Sequence, residues 1–226
     1  MRDMNGSITK FIDQTLLKPD ATREEIEAFC REASKYEFAA VCINPYWVSL
    51  AVDIVRKSGI LVSSVVGFPL GATTMKAKVA EAISCVEKGA LEIEMVMNIG
   101  ALKSGETNRV LEEIGEVVDS VRPEAIVKVI LEAHLLSKEE KEKACLIARE
   151  GGAHFVKTST GFSSPPASVE EIVFLRRIVG EGMGVKAAGG IRSYAHALAL
   201  IRAGANRIGT SAGIKILNEE KEKFKV

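Results

Sequence analysis

The chain has little to cross-link it and nothing obvious to anchor it in a membrane. Its four cysteines, Cys30, Cys42, Cys85 and Cys145, lie far apart with no CxxC pair. That spacing argues against a zinc site or a disulfide framework and fits a reducing, cytoplasmic setting. No apolar run approaches the roughly 20 residues that cross a bilayer. The start, Met1-Arg2-Asp3-Met4-Asn5-Gly6, lacks the apolar core of a signal peptide. Charge of one sign is missing too, since 30 basic and 30 acidic residues cancel. Neither nucleic acid nor an anionic membrane is indicated as a partner, and any anion site has to be local. His134, His154 and His196 show no metal-ligand spacing, so no metal is expected. Gln14 is the sole glutamine; with abundant lysine and glutamate, this leans towards a thermophilic source.

What is present is 226 residues, 47% hydrophobic and 27% charged, enough for one globular domain over residues 1–226. Short apolar runs alternate with longer amphipathic stretches, the pattern of repeated βα units. Strands are predicted at 9–15, 38–43, 61–68, 91–97, 125–131, 154–159, 184–188 and 206–210. Helices are predicted at 23–35, 46–57, 76–88, 108–121, 138–150, 169–179, 194–203 and 213–224, with a charged, frayed tail at 218–226. Thr22 with Glu25, Ser137 with Glu140 and Ser168 with Glu171 have the spacing of capping boxes. Gly59, Gly89, Gly151 and Gly204 sit where helices should stop in left-handed backbone. Eight parallel strands with alternating helices predict a single-domain (β/α)8 barrel, an α/β fold of the TIM type. An open doubly wound sheet is the alternative, but the first strand is not followed by GxGxxG.

Several strands carry charge. Phe155-Val156-Lys157-Thr158-Ser159-Thr160-Gly161-Phe162 puts a lysine among apolar residues just before a loop, and Val185-Lys186-Ala187-Ala188-Gly189-Gly190 does so again. Side chains alternate along a strand, so Glu92, Glu94 and Asn98 share one face, as do Lys128 and Glu132; in a barrel that face points inward. Asp13 adds a charge on the first strand. Taken singly, each is accounted for by a buried ion pair or a solvated strand end. Together they are poor stability devices, because well-packed apolar residues often do as well. Titratable groups clustered at the C-terminal ends of barrel strands mark a catalytic site.

Lys157 and Lys186 fall on adjacent strands, about 4.8 Å apart. Desolvation and a neighbouring cation both favour a neutral, nucleophilic amine. The expectation is a Schiff-base lysine, a second lysine and a proton-shuttling carboxylate. Gly189-Gly190 and Gly209-Thr210-Ser211, in the loops after strands seven and eight, let backbone N–H groups approach a phosphate, and Thr160-Gly161 adds a further contact. Cys42 reads as a buried small hydrophobe near a strand end, where thiol reactivity towards an aldehyde is conceivable. Arg192 and Arg207 read equally as phosphate ligands and as structural ion pairs, and Trp47 as a packing residue.

With these motifs on the page, the sequence resembles the deoxyribose-phosphate aldolase family, lysine-dependent class I aldolases built on a (β/α)8 barrel. The resemblance runs through Ile12 to Pro19, Val41 to Pro45, Gly67 to Gly71, Asn98 to Gly105, Phe155 to Phe162, Lys186 to Arg192 and Arg207 to Ser211. The pairing of Lys-Thr-Ser-Thr-Gly with Lys-x-x-Gly-Gly is the specific part. The resemblance implies that Lys157 forms the imine, that Lys186 assists it, and that Asp13 belongs to the polar network of the site. Lys128, Glu132 and Cys42 are further candidates for that network.

This chain departs from the family where the proton-relay aspartate falls on Glu94, one methylene longer. Catalytic groups need placement to within roughly half an ångström, so Glu94→Asp is expected to raise turnover. Gln14 stands where histidine is common, and Ala133 where threonine is. The implied reaction is reversible cleavage of 2-deoxy-D-ribose 5-phosphate to D-glyceraldehyde 3-phosphate and acetaldehyde, in deoxyribonucleotide catabolism, with no cofactor. The implied partners are phosphosugar and aldehyde substrates and other copies of the chain, in a homodimer or homotetramer. The rivals are a lysine-dependent aldolase for another phosphosugar and a non-catalytic or weakly active phosphosugar-binding barrel.

Overall fold

The protein is described by a computed structural model covering residues 7–162 and 165–223. Eight parallel strands close into a barrel in sequence order, β1 pairing with both β2 and β8. The strands are β1 (Ile12–Leu16), β2 (Ala40–Ile43), β3 (Leu61–Val66), β4 (Glu92–Val96), β5 (Ile126–Ile130), β6 (Phe155–Lys157), β7 (Gly184–Ala188) and β8 (Arg207–Thr210). Around them lie α1 (Arg23–Ala33), α2 (Val48–Val55), α3 (Met75–Glu87), α4 (Ile99–Lys103), α5 (Thr107–Val121), α6 (Lys138–Glu150), α7 (Val169–Val179), α8 (Tyr194–Arg202) and α9 (Gly213–Lys223). The expected barrel is therefore present, and the doubly wound sheet is excluded by closure of β1 on β8. The end of the expected tail, 224–226, lies outside the described residues.

The strand boundaries shift for local reasons. Residues Ile8–Phe11 form a 3-10 turn rather than the start of β1, because Ser7 caps the Thr9 amide and Glu220 accepts from the Ile8 N–H at 2.9 Å. Strand β3 stops two residues early at Gly67, whose φ is +63°. Strand β6 ends at Lys157; the Thr158 amide still donates to the Lys186 carbonyl at 3.1 Å, and hydroxyls then hold the chain to β7, Thr158 and Ser159 donating to the Ala188 carbonyl at 2.9 and 2.8 Å. Pro45 opens a separate 3-10 turn, Pro45–Trp47, ahead of α2. Helix α4 was not expected; Asn98 makes it, accepting from the Ala101 amide at 3.1 Å.

The capping boxes at Thr22 and Ser137 are complete. The one at Ser168 is half made, since the Glu171 carboxylate turns to Lys141 at 2.8 Å instead. Gly59, Gly89 and Gly204 do adopt positive φ, but at the end of α6 the left-handed residue is Gly152, not Gly151. The apolar core is the annulus between strands and helices, filled by residues such as Ile26, Val41, Ile93, Val117, Val127 and Ile208. Inside the barrel the filling is largely charged.

Candidate active site

Strand pleating puts Asp13, Glu92, Glu94, Lys128, Lys157, Lys186 and Arg207 in the barrel interior, each buried apart from a small exposed part of Arg207. Strand register decides which of them meet. Glu94 lies beside Lys128 across β4 and β5, and Lys157 beside Lys186 across β6 and β7. Closure of the barrel brings β1 and β8 round to complete the set.

Glu94 is the hub. One carboxylate oxygen accepts from Lys157 Nζ at 2.8 Å; the other accepts from Lys186 Nζ at 2.5 Å, Lys128 Nζ at 3.2 Å and Ser63 Oγ at 3.1 Å. Asp13 accepts from Lys186 at 2.6 Å, Lys128 at 2.9 Å and Arg207 Nε at 2.6 Å. Glu92 accepts from Lys128 at 2.6 Å and from both terminal nitrogens of Arg207 at 2.8 and 3.0 Å. The result is a continuous ionic lattice running from the N-terminal ends of β4 and β8 to the C-terminal end of β6.

Burial alone would push the Glu94 carboxyl up, but Lys157, Lys186 and Lys128 override it and hold the group well below the usual carboxylate range. Asp13 behaves likewise: burial works against its charge, while Lys128, Lys186 and Arg207 hold it down. Burial also opposes the ammonium of Lys186, yet Asp13 and Glu94 raise its pKa, and Asp13, Glu94 and Glu92 do the same for Lys128. The two lysines thus share the expected inward carboxylate, Glu94, and Asp13 and Glu94 favour the ammonium form of Lys186.

A cleft of about 270 Å³ opens at the C-terminal end of the barrel. Of the lattice residues, only Lys157 lines it, and the other ionisable groups on its wall, Lys18 and Arg192, are also basic. Thr160, Gly161, Gly189, Gly190, Gly209 and Ser211 all lie on the same wall. Gly189 and Gly190 have φ of +107° and +62°, so the β7 loop turns where a side chain would be strained. Gly209 has a second duty: a Cβ there would lie 2.9 Å from Cε of Lys186. Gln14 braces the β8 loop, accepting from the Gly213 amide at 2.9 Å and donating to the Ser211 carbonyl at 3.3 Å.

Three further residues stay out of the lattice: Glu132 and Asn98 leave the inward face expected for them, and Cys42 is the buried small hydrophobe its strand predicts. Glu132 does not continue the inward parity of Lys128, because β5 ends at Ile130 and Glu132 takes left-handed backbone at φ +48°. Its carboxylate instead accepts from the Thr160 amide at 3.2 Å, with His134 Nδ1 also 3.2 Å away. Asn98, past the end of β4, is spent on capping α4. Cys42 packs with Leu17, Val65 and Phe68 in an apolar cluster of its own, and burial first, then Glu94, pushes its thiol up to about 11, which keeps it protonated at neutral pH.

Sequence reasoning missed Ser63, and it left Arg207 undecided between phosphate and ion pair; the structure gives it to Asp13 and Glu92. Parity along β8 would have sent Arg207 inward with Gly209. Also missed was the buried pair of Lys78 on α3 and Glu113 on α5, 2.6 Å apart. Its signal was present: Lys78 falls in the apolar stripe with Ala82 and Cys85. Among the described residues no group of His, Cys, Asp and Glu is arranged to hold a metal ion, and no helix is long and apolar enough to cross a membrane.

Residues 7–219 match the family described as DeoC/LacD family aldolase. Deoxyribose-phosphate aldolase of Caldanaerobacter subterraneus subsp. tengcongensis is 57% identical over 96% of this chain and 94% of its own. The protein of that name from Thermococcus gammatolerans is 54% identical over 93% and 95%. Among solved structures, the deoxyribose phosphate aldolase of Aeropyrum pernix, described as a unique tetramer, superposes with a TM-score of 0.89 at 36% identity, covering 96% of this chain and 92% of that one. A barrel whose one cleft-facing lattice lysine is held by a buried carboxylate, with such relatives along nearly its whole length, belongs to the DeoC/LacD aldolase family.

Proposed function

We propose that this aldolase cleaves 2-deoxy-D-ribose 5-phosphate reversibly to D-glyceraldehyde 3-phosphate and acetaldehyde through an imine on Lys157. The observation that carries the reading is that Lys157 alone joins the ionic lattice to the cleft, 2.8 Å from the Glu94 carboxylate. Neutral Lys157 attacks the C1 aldehyde of the open-chain sugar, and loss of water leaves a protonated imine. That cation is the electron sink. Removal of the C3 hydroxyl proton breaks the C2–C3 bond, releases glyceraldehyde 3-phosphate and leaves an enamine. Protonation at C2 and hydrolysis then free acetaldehyde and restore the amine.

Glu94 and a water move these protons, a contribution typically worth about 10² to 10⁴ in rate. Lys186, held as an ammonium by Asp13 and Glu94, supplies fixed positive charge beside the reacting centre and stabilises oxyanion character as it develops. The phosphate is bound by backbone N–H groups at Gly189-Gly190, by Gly209 and Ser211, and by Thr160-Gly161, with Lys18 and Arg192 adding charge to the wall. The tetrameric relative supports a homo-oligomer, and the cytoplasm is the setting that suits four buried free thiols.

Borohydride reduction in the presence of acetaldehyde tests the imine. A stable adduct is expected on Lys157 and is expected to vanish in Lys157→Ala; an adduct elsewhere, or none, overturns the reading. A coupled assay for released glyceraldehyde 3-phosphate tests the substrate, and preference for dihydroxyacetone phosphate over acetaldehyde as donor would assign the site to another phosphosugar.

A further inference from the structure

Catalysis at Lys157 needs an amine that gives up its proton, and the ionic lattice is not electrically balanced. It contains four cations, Lys128, Lys157, Lys186 and Arg207, and three carboxylates, Asp13, Glu92 and Glu94, all hydrogen-bonded into one network. A buried cluster carrying net charge is costly, because there is little water to screen it. Loss of one proton balances it.

The contacts show which cation is least committed. Lys128 bridges Asp13, Glu92 and Glu94; Lys186 bridges Asp13 and Glu94; Arg207 bridges Asp13 and Glu92. Lys157 has one carboxylate contact, to Glu94, and it faces the cleft through which a proton leaves. We propose that Glu92 and Arg207, on the floor of the barrel and outside the cleft, are positioning residues that set the lattice's surplus of one positive charge and thereby the pH at which Lys157 becomes a free amine. The inference rests on Lys157 being the imine-forming residue.

The other groups facing Lys157 lie outside the lattice: Lys18 and Arg192 line the same cleft but form no ion pair with Asp13, Glu92 or Glu94, and their charge is the same in parent and variants. Cys42, from β2, is a thiol, and Ser63, from β3, is neutral. Glu132 and His134, beyond β5, form a separate pair on the Thr160 amide and exchange no hydrogen bond with the lattice. Phe155, the other inward residue of β6, offers only its ring, with Lys128 Nζ 5.8 Å from the centroid.

The test is the pH dependence of the borohydride-trapped acetaldehyde adduct on Lys157, read by mass spectrometry in the full-length protein. Glu92→Gln removes a negative charge and should move the midpoint down by about one pH unit, while Arg207→Met removes a positive charge and should move it up by a similar amount. The double variant restores the surplus and should return the midpoint to within about 0.3 unit of the parent. A structural role alone would not give shifts of opposite sign that cancel. Unmoved midpoints, or shifts of the same sign, overturn the inference. If Arg207→Met does not fold, Glu92→Gln and the double variant decide: the first has to shift downward and the second has to return. Failure to trap any adduct on Lys157 in the parent overturns the functional reading itself, and so differs from a failure of the charge argument.

Discussion

At Glu94, one methylene decides a set of contacts. The carboxylate touches Lys157 at 2.8 Å and Lys186 at 2.5 Å from opposite oxygens. The extra length is thus accommodated, and the expectation that a shorter acid would work better reverses. Glu94→Asp would draw the carboxylate back by about the length of a carbon–carbon bond and open both contacts, so turnover on deoxyribose 5-phosphate is expected to fall about tenfold, with a smaller change in KM. Turnover at or above the parent's would show that water restores the link. That Glu94 points inward was legible from strand parity; what it would touch was not, since Lys157 is 63 and Lys186 is 92 residues away.

Among the helices, α3 and α5 do more than cover the barrel. Lys78 on α3 donates to the Val96 carbonyl at the end of β4 at 2.8 Å and to Glu113 on α5 at 2.6 Å, tying two helices to the strand that carries Glu94. Burial first, then the pairing, governs both groups: the pKa of Lys78 is lowered and that of Glu113 raised, each towards its neutral form. Breaking such a pair from one side leaves an uncompensated buried group, so Lys78→Met should cost about 3–5 kcal/mol in urea unfolding. Lys78→Met/Glu113→Leu should recover at least half of the loss; equal losses in single and double variants would mean that packing, not charge, sets the cost. The elements themselves were largely readable from apolar runs and caps. The short helix α4 was not, because it depends on Asn98 leaving the strand face and turning to cap.

For the whole molecule, the lattice sets a window of pH stability. Asp13 and Glu94 titrate below their ordinary values when folded, so their contribution is complete above the unfolded values of about 3.9 and 4.3 and is lost as pH falls through the folded ones. Lys128 and Lys186 are raised, so theirs is complete below the unfolded value of about 10.4 and is lost as pH rises through the folded ones. The thermal midpoint should drop steeply below about pH 5 and above about pH 10 and, between them, fall only slightly as the pH passes below about 6.5, where His154, whose pKa burial lowers, begins to work against the fold. Scanning calorimetry showing no steeper fall below pH 5 than between pH 7 and 5 would contradict this.

The alternation of apolar runs with amphipathic stretches, the inward parity of Asp13, Glu92, Glu94, Lys128, Lys157 and Lys186, and the loop glycines all follow from backbone stereochemistry within a few residues, and so could be read directly from the chain. Partner choice could not. Asp13 meets Lys186 across 173 positions and Glu92 meets Arg207 across 115, contacts that exist because β1 closes on β8 and brings distant strands around one axis. The meeting of these charges in one enclosure comes from closure, because electrostatics in a buried space depends on distance and not on order along the chain, while Glu132 turns towards Thr160 because the chain takes left-handed backbone past the end of β5.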